Sequence, residues 1–391
     1  MEAGHAAIPA AVTDRLLHFR YVVVLVVALA AAVVAGGHGD WNQFVVAGRD
    51  MFQSDGLRVY LHHSDTQTGP LSLALARVLA LTPRDGFVLA ALLSMALGVS
   101  SIVLVEEGAH LVGVERRTRQ FLTLVGGSVL MFTWGKLGGY GHLDDAIVLF
   151  CGVASTRQAL SRRPWVVAVL LVVAIAAKPW AVILFPLLLV EVVRSRPSWW
   201  RTLLPAAFAA ALVAAVWLPF LLSSPGISHA IRPTVEVAPD SVLVPLGLSQ
   251  GQLPDWLRIA QFVVAFVVGM VLVLRRRYLG MLLAAIAVRL ATDPATWSYY
   301  TPGLVAGALL WDQMLGDRAV PWATLGAVAL LAPAWVMPDP QVRAIMRLVA
   351  AVGAVALAAM GPESPAMTMQ PFMDEPADEP PTPLAPQQLP L

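Results

Sequence analysis

Apolar runs, broken by short segments that carry arginine, proline or glycine, follow one another along most of the chain. About twelve of these runs predict helices, near residues 19–36, 87–106, 119–134, 145–160, 165–177, 180–194, 202–222, 256–274, 278–291, 302–315, 321–336 and 341–360. Runs such as 87–105 and 202–222 are long enough to cross about 30 Å of hydrocarbon. The shorter runs must tilt, re-enter or end at a cavity within the protein. The pattern therefore predicts an all-α, polytopic bundle of transmembrane helices.

The composition agrees with a chain surrounded by lipid. Of its 391 residues, 58% are hydrophobic and 13% are charged, whereas soluble domains carry roughly 25% charged residues. A formal net charge of +1, with no basic run beyond residues 275–277, argues against nucleic acid as a partner. The single cysteine, Cys151, lies in an apolar run and is expected to pack as a buried thiol.

Arginine residues occur in alternate connections between the predicted helices, which sets an orientation because basic residues favour cytoplasmic loops. The cytoplasmic loops are then those with Arg15/Arg20, Arg116/Arg117/Arg119, Arg157/Arg162/Arg163, Arg194/Arg196/Arg201, Arg275/Arg276/Arg277 and Arg318. Arg343 and Arg347 fall on the opposite side from this pattern. The orientation places both termini in the cytoplasm and the loops rich in Asp, His, Trp and Tyr on the extracytoplasmic side.

The longest outer loop spans residues 36–85, and the last segment of the chain differs from the rest. Trp41, Phe44 and Val45 recur at helical spacing in the loop and predict a helix lying in the membrane interface. A second helix is expected to begin at Pro70. Residues 1–360 form the membrane domain, and the proline- and acid-rich segment 361–391 is predicted to be a disordered cytoplasmic tail.

Asp40 follows the first predicted membrane helix and is the best candidate for a general base. A carboxylate partly withdrawn from water is expected to have a raised pKa, which suits it to accept a proton. The alternative is that Asp40 caps the helix that begins beside it.

A second polar cluster runs from Lys136 to Asp145 and contains three glycines, His142 and two adjacent acids. We interpret it as a glycine-rich outer turn that forms a polar site wall, in which Asp144 and Asp145 open the next helix. Helix capping alone is the first alternative. A metal site on His142 and the two acids is the second, although so few ligands on one short turn are a weak signal.

Two further groups of residues are candidates for binding. Lys178 interrupts an apolar stretch before Pro179, at the predicted apex of a helical hairpin, where it either serves a site or extends to the interface. Arg289 precedes the aromatic segment that contains Trp297, Tyr299 and Tyr300. These rings suit sugar C–H surfaces, but they are also typical of a membrane-interface belt, and Arg289 could pair with Asp293 four residues on.

The pattern of these residues resembles the GT-C superfamily of multipass glycosyltransferases, and within it the bacterial mannosyltransferases that use polyprenyl-phosphate mannose. The resemblance spans residues 15–340 and rests on Asp40, Tyr60, Thr68-Gly69-Pro70-Leu71, Gly141-His142-Leu143-Asp144-Asp145 and Lys178-Pro179. It implies inverting transfer of a sugar, with mannose the first choice, from a polyprenyl-phosphate donor to an extracytoplasmic glycolipid or glycan.

The same resemblance implies roles for individual residues. Asp40 would be the base, and Lys178, Lys136 and Arg289 would bind the donor phosphate. The expected sugar or acceptor site consists of His142, Asp144, Asp145, Tyr60, Trp297, Tyr299 and Tyr300. No cofactor is expected, and Asp40-Trp41 in place of the paired acids of many superfamily members argues against a metal there.

Two other functions remain open at this level. Lys178 and Arg289 within apolar segments would also suit a transporter or lipid flippase. The absence of a sequence repeat and the large polar first loop count against that alternative. An arabinofuranosyltransferase would use the same fold, because a fold alone does not determine the chemistry.

Overall fold

The computed structural model describes residues 10–35, 39–63, 66–195, 200–223, 236–248, 255–315 and 319–364. This part of the chain consists of helices and turns, without a β-strand. Its α-helices are Ala10–His18, Arg20–Ala35, Trp41–Asp50, Val59–His62, Pro70–Leu79, Phe87–Leu111, Arg116–Tyr140, Leu143–Leu160, Pro164–Ala177, Val190–Ser195, Trp200–Ser223, Asp255–Leu274, Met281–Thr292, Thr301–Leu315, Trp322–Leu331 and Pro340–Met360. Short 3₁₀ segments lie at Gly56–Arg58, Pro83–Gly86, Pro179–Leu189, Tyr278–Gly280, Ser298–Tyr300 and Pro333–Trp335.

Five helical segments in the described residues are long and apolar enough to cross a membrane. They are Pro83–Leu111, Arg116–Tyr140, Leu203–Ser223, Trp256–Leu274 and Pro340–Met360. Their outer faces expose apolar side chains such as Leu212, Val264 and Val352. Such a surface is compatible with lipid, in which helices satisfy their own backbone hydrogen bonds. The predicted all-α, apolar architecture is confirmed at this level.

The glycine-rich segment after residue 134 is helix, where the sequence predicted a turn. The helix Arg116–Tyr140 runs through Lys136, and its glycines contact other helices instead of a ligand. A Cβ on Gly135 would lie 2.5 Å from the Ala31 Cβ, and one on Gly138 would lie 2.3 Å from Met95 Cε. Close helix packing therefore requires these glycines. The chain turns only at Gly141, where φ is +80°.

The two helices predicted in the first outer loop form, but the first of them faces the protein. Trp41, Phe44 and Val45 on the helix Trp41–Asp50 are buried, so the face predicted to enter the membrane interface packs on the core. The Trp41 indole N–H donates to the Asp85 carbonyl at 2.8 Å, which ties the two ends of the loop together. The helix is therefore a fixed wall of the protein.

The segment after Lys178 winds differently from the α-helix predicted over residues 180–194. Residues Pro179–Leu189 form a 3₁₀ helix, and α-helix resumes only at Val190–Ser195. Pro186 within this segment lacks an N–H, which removes one α-helical hydrogen bond. The tighter winding follows directly on Lys178, whose backbone is extended.

The two arginines that departed from the predicted orientation have a carboxylate partner. Arg343 Nε and Arg347 Nη1 lie 2.9 and 2.6 Å from Asp240 Oδ2, in the segment before the helix Asp255–Leu274. At the other end of the helix Pro340–Met360, the Ser364 N–H donates to the Arg276 carbonyl at 2.7 Å. The predicted tail therefore begins with residues that contact the bundle, and from residue 365 it lies outside the described residues.

Candidate functional site

Asp40 occupies the N-cap position of the helix Trp41–Asp50, but its side chain makes no capping hydrogen bond. Its carboxylate lies 3.2 Å from Nε2 of His142 and is 43% exposed. The contact with the His142 imidazole lowers the pKa of Asp40, and partial burial, which raises it, is the weaker effect. The expected upward shift was therefore wrong in direction. Asp40 is an ionised carboxylate that meets both solvent and a buried imidazole.

The turn at Gly141 places His142 behind Asp40. The backbone N–H of His142 donates to the Leu137 carbonyl at 2.8 Å, a bond that ends the preceding helix. Tyr299 stacks on the buried imidazole with ring centroids 3.7 Å apart, and Phe44 contacts it edge-on at 5.9 Å. Aromatic surfaces thus hold the ring on two sides.

A buried ionic cluster lies on the other side of this ring. His142 Nδ1 is 3.5 Å from an Asp144 oxygen and 3.6 Å from an Asp145 oxygen. Burial lowers the pKa of His142, but the contacts with Asp144 and Asp40 outweigh it and raise the pKa overall. The imidazole therefore lies between carboxylates on both sides, which favours its protonated form.

Asp144 and Asp145 both contact Lys178. The ammonium lies 2.8 Å from Asp144 Oδ2 and 2.5 Å from Asp145 Oδ2. Trp180 adds an indole N–H to Asp145 Oδ1 at 3.0 Å. Helix capping alone does not account for these acids, because both are bound to a cation from a distant helix end. Lys178 is only 6% exposed, so the interpretation that it extends to the membrane interface was wrong.

The same cluster offers the ligand atoms for the metal site considered from the sequence. One ligand atom each from His142, Asp144 and Asp145 lies within 4.8 Å of the others. The Lys178 ammonium already contacts both carboxylates, so a metal ion would have to displace it. The donor set therefore fits an ammonium better than a metal.

The turn that precedes the helix Pro70–Leu79 fixes the backbone beside Lys178. The Ala177 carbonyl accepts the Gly69 N–H at 2.7 Å, the Ser72 hydroxyl at 3.0 Å and the Thr68 hydroxyl at 3.3 Å. A Cβ on Gly69 would lie 2.1 Å from the Ala176 carbonyl oxygen, so only glycine permits this approach. The motif Thr68-Gly69-Pro70 thus positions the lysine.

Tyr60 supports this turn from behind. Its hydroxyl donates to the Thr68 carbonyl at 3.1 Å, and its ring stacks on Trp217. At 1% exposure the side chain lines no opening, so the structure places it as a support and not in contact with a sugar. The Lys136 ammonium lies 5.3 Å from the Trp335 ring, and no ion pair joins it to the ionic cluster among the described residues.

Arg289 and the aromatic segment lie next to the ionic cluster. The Arg289 guanidinium contacts the rings of Trp180 and Tyr300, 4.4 and 4.6 Å from their centroids. Trp297 is 59% exposed and lies parallel to Tyr299 with ring centroids 6.0 Å apart. An aromatic column thus leads from the protein surface at Trp297 through Tyr299 to His142.

Asp40, His142, Asp144, Asp145 and Lys178 were each singled out from the sequence, and the structure brings them together. Arg258 was overlooked. This arginine lies 3.5 Å from Asp293, which Arg289 also contacts. Its presence in an apolar helix was a signal, since ionisable residues in such helices are costly. Comparison of the chain with protein-family models, with curated proteins and with solved structures found no match.

Proposed function

We propose that the chain is a multi-pass membrane glycosyltransferase of the GT-C type. It moves a sugar, mannose being the first choice, from a polyprenyl-phosphate donor to a glycolipid or glycan on the extracytoplasmic side. The observation that carries the proposal is the half-exposed Asp40 carboxylate, which contacts a buried histidine backed by two acids and a lysine.

Asp40 is the general base in this proposal. The acceptor hydroxyl oxygen bonds to the anomeric carbon while the bond from that carbon to the phosphate oxygen breaks, and the electron pair leaves with the phosphate. Asp40 accepts the hydroxyl proton and later releases it to water. Its lowered pKa keeps Asp40 ionised at neutral pH, so the base is in the form that accepts a proton.

The leaving phosphate gains negative charge, which a fixed cation stabilises more in the transition state than in the ground state. Arg289 suits this role, because two rings hold its guanidinium and its ion pair to Asp293 is long, at 3.6 Å. Lys178 forms ion pairs with Asp144 and Asp145, which in turn lie beside His142. We therefore assign Lys178 to the positioning of His142. Trp297 offers an exposed ring face for the sugar.

The test uses the protein in nanodiscs with labelled polyprenyl-phosphate mannose and an extract of membrane glycolipids as acceptor. We expect a labelled product that depends on the wild-type chain. A parallel arm with polyprenyl-phosphate arabinofuranose separates the mannosyl from the arabinofuranosyl alternative. A thermal unfolding transition checks that the protein is folded. Absence of donor turnover in both arms with such folded protein would contradict the proposal.

Transport is the second candidate, because the contacts from Asp40 through His142 to Asp144 could also carry a proton. Sealed vesicles that contain the protein discriminate the two functions. A transporter would move a solute or lipid in response to a pH gradient without forming a new glycosidic bond. The transferase forms product in open and sealed membranes alike.

A further inference from the structure

Two buried arginines from neighbouring helices converge on one carboxylate. Arg258, from the helix Asp255–Leu274, lies 3.5 Å from Asp293 Oδ1, and Arg289 lies 3.6 Å from Asp293 Oδ2. Each arginine is less than 10% exposed. Within this group two positive charges face one carboxylate, and the next acid, Asp145, lies in the adjacent ionic cluster and acts on Arg289 from there.

The arginines are held in place by groups other than the carboxylate. The Arg289 guanidinium carbon lies over the rings of Trp180 and Tyr300. Arg258 donates to the Gln261 side-chain oxygen at 3.3 Å, and the Gln261 amide donates to the Arg289 carbonyl at 3.0 Å. Both distances to Asp293 exceed the 2.7–2.9 Å of a charge-assisted hydrogen bond. The guanidinium groups therefore keep donor capacity for a second anion.

Asp293 itself lies where a carboxylate is unfavourable. It follows the C-terminus of the helix Met281–Thr292, and the partial negative charge at a helix C-terminus repels an acid. Its Oδ1 accepts the Ala295 N–H at 3.0 Å, a local contact that an asparagine oxygen would also make. The arginines are thus the groups that hold the negative charge of Asp293 at this position.

We infer that Arg258 and Arg289 form a binding site for a phosphoryl group, and that Asp293 is an internal anion that competes with it. This inference rests on the proposed function for the source of the phosphate, the lipid carrier. A phosphate oxygen can bridge two guanidinium groups, whose planar N–H donors suit that geometry. The competing carboxylate weakens phosphate binding and so favours release of the carrier after transfer.

The experiment measures thermal stabilisation of the purified protein by inorganic phosphate at constant ionic strength. Asp293→Asn should bind phosphate about tenfold more tightly than the wild type, because one competing charge is gone. Arg258→Gln should lose the phosphate-dependent shift, and Arg258→Lys should keep part of it. The matched control is Asp339→Asn, which removes a carboxylate that accepts the N–H two residues on in the same way and should behave as wild type.

Equal phosphate dependence in the wild type, Asp293→Asn and Arg258→Gln, or none in any of them, would overturn the inference. A second arm compares polyprenyl phosphate with the uncharged polyprenol in the same micelles. Selective binding of the phosphate lipid by the wild type identifies the carrier as the source, and binding of inorganic phosphate alone would contradict that source. Because no arm requires sugar transfer, a phosphate site without transferase activity would refute the proposed function and leave this inference intact.

Discussion

Two carboxylate clusters in the protein show how a purely structural ion pair differs from the candidate site. Glu106 receives Arg20 Nε and Nη2 on separate oxygens, both at 2.8 Å, and the Tyr21 hydroxyl at 2.8 Å. In the candidate site both ring nitrogens of His142 are buried without a well-aligned hydrogen bond, although carboxylates lie 3.2 to 3.6 Å away. Unmet buried polar groups cost stability, so the second arrangement suits a group whose protonation changes.

The two clusters also differ in net charge. Glu106 and Arg20 cancel, whereas Asp144 and Asp145 face one lysine and leave one negative charge. A protonated His142 would cancel it, in agreement with the raised pKa of that imidazole. The buried part of the site, formed by His142, Asp144, Asp145 and Lys178, is therefore neutral only when the histidine carries a proton, and Asp40 adds a negative charge at its edge. The charge of this cluster depends on pH, whereas the Glu106 cluster is already balanced.

The largest expected effect is on sugar transfer, and it should occur for a substitution in the candidate site but not in the Glu106 cluster. Asp40→Asn keeps the shape of the side chain but removes its basicity, and loss of a general base costs about 10²–10⁴-fold in turnover. Glu106→Gln, the matched acid-to-amide change in the other cluster, should leave transfer unchanged. The measurement is turnover of labelled donor in nanodiscs. An Asp40→Asn protein with more than about a tenth of wild-type turnover would contradict its role as the base.

The next effect concerns stability. Lys178→Gln leaves two buried carboxylates without their cation, and breaking a buried ion pair typically costs about 3–5 kcal/mol. The double variant Lys178→Gln/Asp144→Asn removes one charge of each sign and should recover part of that loss. Arg20→Gln should cost less, because the Tyr21 hydroxyl still donates to Glu106. Unfolding in detergent measures all three, and equal losses for Lys178→Gln and the double variant would contradict the charge argument.

The smallest expected effect is a shift in pH dependence. Asp40 must be ionised to act, so its lowered pKa places the acid limb of kcat/KM below the ordinary aspartate pKa of about 3.9. His142→Gln removes the imidazole that lowers this pKa, and the acid limb should move toward higher pH. Glu106→Gln serves again as the control without a shift. An unchanged acid limb in His142→Gln would show that the two side chains are not coupled.

The sequence alone was sufficient for the apolar helices and for most members of the candidate site. Helices are local structures, so the spacing of apolar residues and the position of Pro70 predict them without knowledge of the rest of the chain. Asp40, His142 and Lys178 could be singled out because polar residues next to apolar helices are costly. Such a cost singles out each residue separately and does not show which residues are partners.

Only the tertiary structure decided which residues contact one another and which role the glycines have in helix packing. Gly138 reads as a turn residue in sequence, but Met95 from another helix requires it within a helix. Lys178 lies 33 residues from Asp145 in sequence, and Arg258 lies 35 from Asp293, so neither pair is visible in any local pattern. The pKa of Asp40 likewise moved opposite to expectation, because a buried imidazole outweighed partial loss of water. Contacts between distant segments depend on helix packing, which the order of residues along one helix does not encode.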